Sequence, residues 1–225
     1  MYDIVFISYN EPNADKNWQL LKARFARAKR IDGVKGIHQA HIAAAKKCFT
    51  KMFWVVDADA QILDEFNFDH KVDEYDLETV HVWRSRNPVN NLLYGYGGVK
   101  LLPRKLTLNM DTTKPDMTTS ISKYFKAMPD TSNVTAFNTN EFEAWKGAFR
   151  ECTKLASKSI TGQIDDETED RLQAWLHPIP DASFREEAKR GAEQGTVFGK
   201  ENKNKPEVLA LINDFDWLEE RFNDQ

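Results

Sequence analysis

Apolar runs and the polar breaks between them divide the chain into short elements. Asp3 to Tyr9 (DIVFISY) is a β-prone run ending at the polar turn Asn10-Glu11-Pro12-Asn13, which predicts a first strand. Trp18, Leu21, Phe25 and Ala28 then recur at steps of three and four, the spacing of one apolar helix face. Gly33 and Gly36 bracket a turn. His38 to Phe49 follows as an alanine-rich helix, with Ala40, Ala43 and Ala44 on its close-packing side. Met52 to Val56 is an unbroken apolar run, too short for a helix, and predicts a buried strand. The order strand, helix, turn, helix, strand argues for an α/β fold with a mostly parallel sheet flanked by helices.

Beyond it, residues 64–78 are acidic and irregular. Thr79 to Trp83 (TVHVW) predicts another strand, and a loop rich in Asn, Pro and Gly runs from Ser85 to Gly98. Val99 to Leu102 is a short strand stopped by Pro103, and residues 107–135 read as loop-rich. The remainder reads as helical. Phe142, Trp145, Phe149 and Cys152 recur at helical spacing, continuing to Leu155 or Ala156. Asp165 to Leu176 opens with acids that suit a helix N-terminus and stops at His177-Pro178-Ile179-Pro180. A polar helix over 183–194 ends at Gly195, and a last one over about 206–222 opens with Pro206. Residues 1–140 thus form an α/β core, and residues 141–225 a helical part that completes the same domain.

The bulk numbers narrow this picture. In 225 residues, a hydrophobic content of 41% supports a real core. No long apolar stretch suggests a membrane span, and Met1-Tyr2-Asp3-Ile4 lacks the basic and apolar regions of a secretory signal. Cys48 and Cys152 each sit among apolar residues, so buried free thiols are expected rather than a disulfide, and a cytoplasmic location with them. A net charge of −4 argues against gripping nucleic acid by bulk electrostatics. Local basic patches remain, at Lys22 to Arg30 and at Arg84, Arg86, Lys100, Arg104 and Lys105.

The chemistry concentrates at Met52-Phe53-Trp54-Val55-Val56-Asp57-Ala58-Asp59-Ala60. Two carboxylates one residue apart at a strand tip are costly to leave unpaired, and ligands of open α/β sheets bind at such ends. Hard cations such as Mn²⁺ or Mg²⁺ relieve the repulsion and prefer oxygen ligands. The plain alternative is that Asp57 and Asp59 only cap the next turn.

Three segments together resemble the GT-A class of nucleotide-sugar glycosyltransferases. DIVFISYNEP resembles the first strand of such enzymes, whose end touches the nucleoside; this implies donor contacts at Ser8, Tyr9 and Asn10. Arg30 to Ala40 resembles their nucleotide-side segment, which implies that Arg30 and Lys35 meet phosphates; an exposed basic helix end is the alternative. FWVVDADA resembles the metal-binding D-x-D strand. The chain is more specifically similar to small glycosyltransferase-like proteins of tailed phages, which share HVW-x-S-x-NP followed by YGYGGVKLLP. Some phage glycosyltransferases decorate hydroxymethylated pyrimidines in DNA. The resemblance covers residues 2–105 well and the helical half weakly. It implies a GT-A-like, Rossmann-like fold, a nucleotide-sugar donor that is UDP-linked, and a hydroxyl acceptor, modified DNA among the options. Haloacid-dehalogenase-like phosphatases also place D-x-D after an apolar strand. Theirs is the first strand, however, and usually continues with Thr or Val, unlike Asp57-Ala58-Asp59-Ala60-Gln61. A nucleotide- or carbohydrate-binding module without turnover is the non-catalytic alternative.

On the transferase reading, Asp57 contacts ribose, sugar or metal, and Asp59 ligates the metal that stabilises the diphosphate leaving group. His177 is the candidate third ligand, against a plain capping histidine. His38 and His41, one turn apart, read as a solvated or nucleotide-facing helix edge rather than a zinc pair. Gly97 and Gly98 permit close backbone approach to the donor or a tight turn, with Tyr94 and Tyr96 as a wall for sugar or base. Trp83, Arg84 and Arg86 are assigned to the acceptor side. An inverting reaction needs a base, for which Glu141, Glu143, Asp165 and Asp166 compete. A retaining one does not.

Overall fold

The computed structural model describes residues 1–94, 97–112, 117–159 and 164–224, with the backbone alone for Tyr94. The chain divides into two compact units, Met1–Arg86 with Leu93–Ala136, and Asn87–Leu92 with Phe137–Gln225.

In the first unit the elements run β1 (Asp3–Ser8), α1 (Ala14–Arg24), β2 (Lys29–Asp32), α2 (Ile37–Lys47), β3 (Met52–Asp57), β4 (Ala60–Ile62), β5 (Val80–Arg86), β6 (Leu93–Tyr94), β7 (Val99–Pro103), α3 (Arg104–Leu108), α4 (Met117–Ile121) and β8 (Phe125–Thr135). The eight described strands form one sheet in the order β2-β1-β3-β7-β5-β8-β4, with β6 on the side of β5. β3 is central because it is apolar on both faces. Met52, Trp54 and Val56 pack with Phe6 and Trp83 on one face. Phe53 and Val55 pack with Val5, Ala44 and Leu102 on the other.

The sheet is mixed rather than mostly parallel. β1 pairs in parallel with β2 and β3, and β5 with β8. β7, however, lies antiparallel between β3 and β5. Parallel neighbours need a crossover, usually a helix. Between β4 and β5 the chain forms only a 3-10 turn at Glu74–Asp76, so no helix-mediated crossover places β5 beside β3. Two further strands depart from the expected pattern. β2 stands where no element was expected, just before the turn at Gly33 and Gly36, and β8 replaces a loop-rich stretch. Phe25 caps α1 rather than lying within it.

The second unit holds α5 (Glu141–Ser157), α6 (Asp165–Leu176), α7 (Arg185–Glu201), α8 (Pro206–Leu209) and α9 (Phe215–Asn223). Gly195 does not end α7, which continues to Glu201. The reason is packing. Gly191, Gly195 and Gly199 recur every four residues and face the backbone of Trp145, Phe149 and Thr153, where a methyl group would collide. The expected last helix is broken by a 3-10 turn at Ala210–Asn213, and Asp214 caps α9 by accepting from the Asp216 and Trp217 amides. Cys48 and Cys152 are buried free thiols, as expected. Among the described residues no helix is long and apolar enough to cross a membrane.

Candidate functional site

The parallel pairing of β1 with β3 sets Ile7 beside Asp57, and that of β1 with β2 sets Ser8 beside Asp32. Three strands therefore end together, which gathers Ser8, Asp32 and Asp57 at one end of the sheet.

The turn after β3 is held by its backbone. Asp57 donates its amide to the Gly98 carbonyl at 2.9 Å, and the Asp59 carbonyl accepts from the Ala136 amide at 2.7 Å. Between them, the Ala58 carbonyl accepts from the buried Asn17 side chain at 2.7 Å. The backbone that carries the two carboxylates is thus anchored at three successive residues.

Their surroundings differ. Lys100, reaching over from β7, donates to both Asp57 oxygens at 2.9 and 2.7 Å and to the Gly97 carbonyl. Its side chain is only 4% exposed, while that of Asp57 is 35% exposed. Asp59 is half-buried. No side-chain hydrogen bond to its carboxyl is found among the described residues. Burial pushes its pKa up to about 7, with the charges of Asp57 and Glu11 adding to the rise and Lys100 opposing it. A strand-tip carboxyl this strongly perturbed is a functional-site signal. Its chemistry fits a hard divalent cation, which favours oxygen ligands and the ionised form.

Gly97 and Gly98 build this frame. Gly97 has φ of +75° and a Cβ at Gly98 would press on Asn133 at 2.8 Å. The buried Asn133 in turn accepts from Ser85 at 2.9 Å. Of the expected aromatic wall, the Tyr94 side chain and Tyr96 lie outside the described residues.

At the ends of β1 and β2, all three guanidinium nitrogens of Arg30 are engaged, with Ser8 Oγ at 2.8 Å, Asp15 at 2.6 Å and Asp32 at 3.1 Å. Ser8 donates to Asp32 at 2.5 Å, and that hydrogen bond leads in holding the Asp32 carboxyl below its usual range. Tyr9, Asn10 and Lys35 are exposed, and the Tyr9 amide donates to Glu11 at 2.8 Å.

Several expectations change. Trp83 is 2% exposed and packs on Trp54 at 4.5 Å between centroids, so it offers no acceptor-stacking face. Arg84 and Arg86 stay exposed on β5. Lys100 leaves the basic patch for Asp57, and Arg104 is bound to the Ala45 carbonyl at 3.0 Å. His41 is not solvated. It is 2% exposed, its Nδ1 donates to the Ile37 carbonyl at 2.7 Å, and burial and then the Lys100 charge drive its pKa down to about 3. His38 meets Ser120 at 3.1 Å.

In the second unit, His177 caps α6 and its Nδ1 lies 2.8 Å from the Gln173 carbonyl. A carbonyl only accepts, so Nδ1 carries the proton, and a neutral ring then keeps its lone pair on Nε2. Glu143 is paired with Lys146 at 2.7 Å, and its amide donates to the Asn140 cap. Glu141 is exposed on the first turn of the same helix. Asp165 is paired with Lys158 at 2.6 Å. Among the described residues no group of three or more His, Cys, Asp or Glu side chains is gathered as a metal cluster.

No family model matches the chain, and no curated protein matches it. Among solved structures it is similar to HddC from Yersinia pseudotuberculosis, at 13% identity over 57% of this chain and 90% of that one, with a TM-score of 0.36. It is also similar to a glycosyltransferase involved in the glycosylation of the major capsid of PBCV-1, at 13% identity over 56% of this chain and 81% of that one, with a TM-score of 0.33. Likenesses this low have no weight for function, which rests on the strand-end geometry.

Proposed function

We propose that the chain is a metal-assisted glycosyltransferase that takes its sugar from a nucleoside diphosphate, UDP in particular, and passes it to an acceptor hydroxyl. The observation that carries this reading is the Asp59 carboxyl. It is fixed on an anchored turn, is pushed up to about 7, and lacks a side-chain donor, while Asp57 beside it has one. Asp59 is the residue to hold Mn²⁺ or Mg²⁺, while Asp57 beside it is engaged by Lys100. Such an ion supplies Lewis-acid stabilisation of the departing diphosphate. The nucleoside lies over the ends of β1 and β2, where Tyr9, Asn10 and Lys35 are exposed and not engaged in the Arg30 cluster. A dehalogenase-type phosphatase is disfavoured, because its D-x-D follows the first strand, whereas Asp57 ends β3. The acceptor side is assigned to exposed Arg84 and Arg86, and hydroxymethylated DNA is the acceptor to try first.

Calorimetry of UDP with and without Mn²⁺ tests the reading. Wild type should bind UDP in a Mn²⁺-dependent way, and Asp59→Ala should lose that dependence while unfolding at no lower a temperature. Equal UDP–Mn²⁺ affinity in the variant would remove the metal site. Transfer of labelled sugar to hydroxymethylated DNA, but not to plain DNA, tests the acceptor. A bound donor that is never turned over would favour the non-catalytic module.

A further inference from the structure

We infer that Lys100 is a resident counter-cation that takes Asp57 out of the ligand set and makes divalent-ion binding conditional on the diphosphate. This rests on the reading of Asp59 given above. An ammonium has three protons to donate, and Lys100 directs its contacts to both oxygens of Asp57 and the Gly97 carbonyl. None is left over for a phosphate. The antiparallel register of β7 with β3 places Lys100 opposite Val55, two residues before Asp57 on the neighbouring strand. The turn at Gly97, with φ of +75°, brings the third acceptor into place.

This arrangement differs from a pair of carboxylates open to a metal. One charge is already neutralised by a buried ammonium, and breaking such a pair is costly. An incoming divalent ion at Asp59 also meets the positive charge of Lys100, held on the neighbouring Asp57, and like charges repel. With Asp59 as the principal anchor, free Mn²⁺ should bind weakly. A diphosphate brings further oxygen ligands and negative charge that offset the lysine, so cation and donor should arrive as a coupled pair. Lys100 is a positioning residue here, since it acts through Asp57 and touches no substrate.

The test is calorimetric titration with Mn²⁺ alone, at one fixed pH, for four proteins. Lys100→Met should bind Mn²⁺ on the order of tenfold more tightly than wild type, because it frees Asp57 and removes the opposing charge. Asp57→Asn with Lys100→Met removes both members of the pair at unchanged net charge. It should bind within about threefold of wild type, since removing two opposite charges together leaves the net charge facing Asp59 unchanged. Should Lys100→Met fail to fold, this double variant decides alone. Mn²⁺ affinity that does not tighten in folded Lys100→Met, or that weakens on the order of tenfold in the double variant, overturns the inference. Asp59→Ala separates the two levels. If it leaves Mn²⁺ binding intact, the metal site itself is wrong. If it abolishes binding while the Lys100 variants miss their expected changes, only the role of Lys100 falls.

Discussion

Two charged groups sit at neighbouring strand ends of one sheet, and they are built differently. At the ends of β1 and β2, Ser8, Arg30, Asp15 and Asp32 close on one another, and every guanidinium nitrogen has a partner. At the end of β3, Lys100 closes on Asp57 and leaves Asp59 without a side-chain donor. The first group satisfies itself. The second keeps an electrostatic cost that the fold does not relieve. A closed cluster is explained by stability, whereas an open carboxyl in a half-buried place calls for a ligand. Both lie where ligands of open α/β sheets bind, so position alone does not separate them.

The largest effect should come from the open group. Asp59→Ala should weaken UDP–Mn²⁺ binding on the order of a hundredfold, as loss of a charge-assisted ligand does. Its melting temperature should not fall. A large drop in stability instead would place Asp59 among the closed, structural charges.

Next comes the pH dependence. The folded-state midpoint of Asp59, about 7, lies above its ordinary carboxylate value. The folded protein therefore holds this proton more tightly than the unfolded chain. Ionising Asp59 costs stability: the cost is absent below about pH 4, grows as pH rises, and is complete above about pH 7. Asp59→Asn removes it. The variant should gain on wild type as pH rises, by about 2 kcal/mol at pH 8, half the full linkage figure because the carboxyl is partly open to water. Denaturant unfolding across this range checks it, and parallel curves for the two proteins would refute it.

How far the sequence showed this contrast depends on range. β3 was legible because five apolar residues in a row have few uses other than a buried strand, and the carboxylates at its end single out the candidate site. β2 was not legible. Three of its four residues, Lys29, Arg30 and Asp32, are charged, and pairing with β1 rather than composition makes them a strand. β8 hid behind Pro129 and a run of polar residues. The mixed sheet was hidden for another reason, since the placing of β7 between β3 and β5 is a tertiary choice. The lysine on Asp57 is 43 residues away. Lys100 looked like one more member of a basic patch, and nothing local distinguishes it. The Gly191, Gly195 and Gly199 spacing was visible, but read singly Gly195 looked like a helix stop.

The closed group should respond in stability alone. Arg30→Met leaves Ser8 and Asp15 without their donor, while Asp32 keeps the Ser8 hydroxyl. The cost should be about 1 kcal/mol, because Asp15 and Asp32 are well exposed and such pairs are worth little in water. Mn²⁺ affinity should stay at the wild-type level. A lost Mn²⁺ response would mean that the two strand ends act as one site.

The smallest and most discriminating change is Ser8→Ala. The Ser8 side chain is buried, donates to Asp32 at 2.5 Å and accepts from Arg30 at 2.8 Å. Its oxygen is thus occupied from both sides within the protein. Removing it leaves Arg30 and Asp32 still joined at 3.1 Å, so the loss should be one hydrogen-bond contribution, about 1 kcal/mol or less. UDP affinity should change by less than about threefold, since a hydroxyl already used twice has little left for a nucleoside. The opposite pattern is equally readable. If UDP binding weakens on the order of tenfold while the melting temperature holds, the hydroxyl must exchange Asp32 for the ligand. The end of β1 would then open on binding, and the distinction between a closed and an open strand end would describe the free protein only.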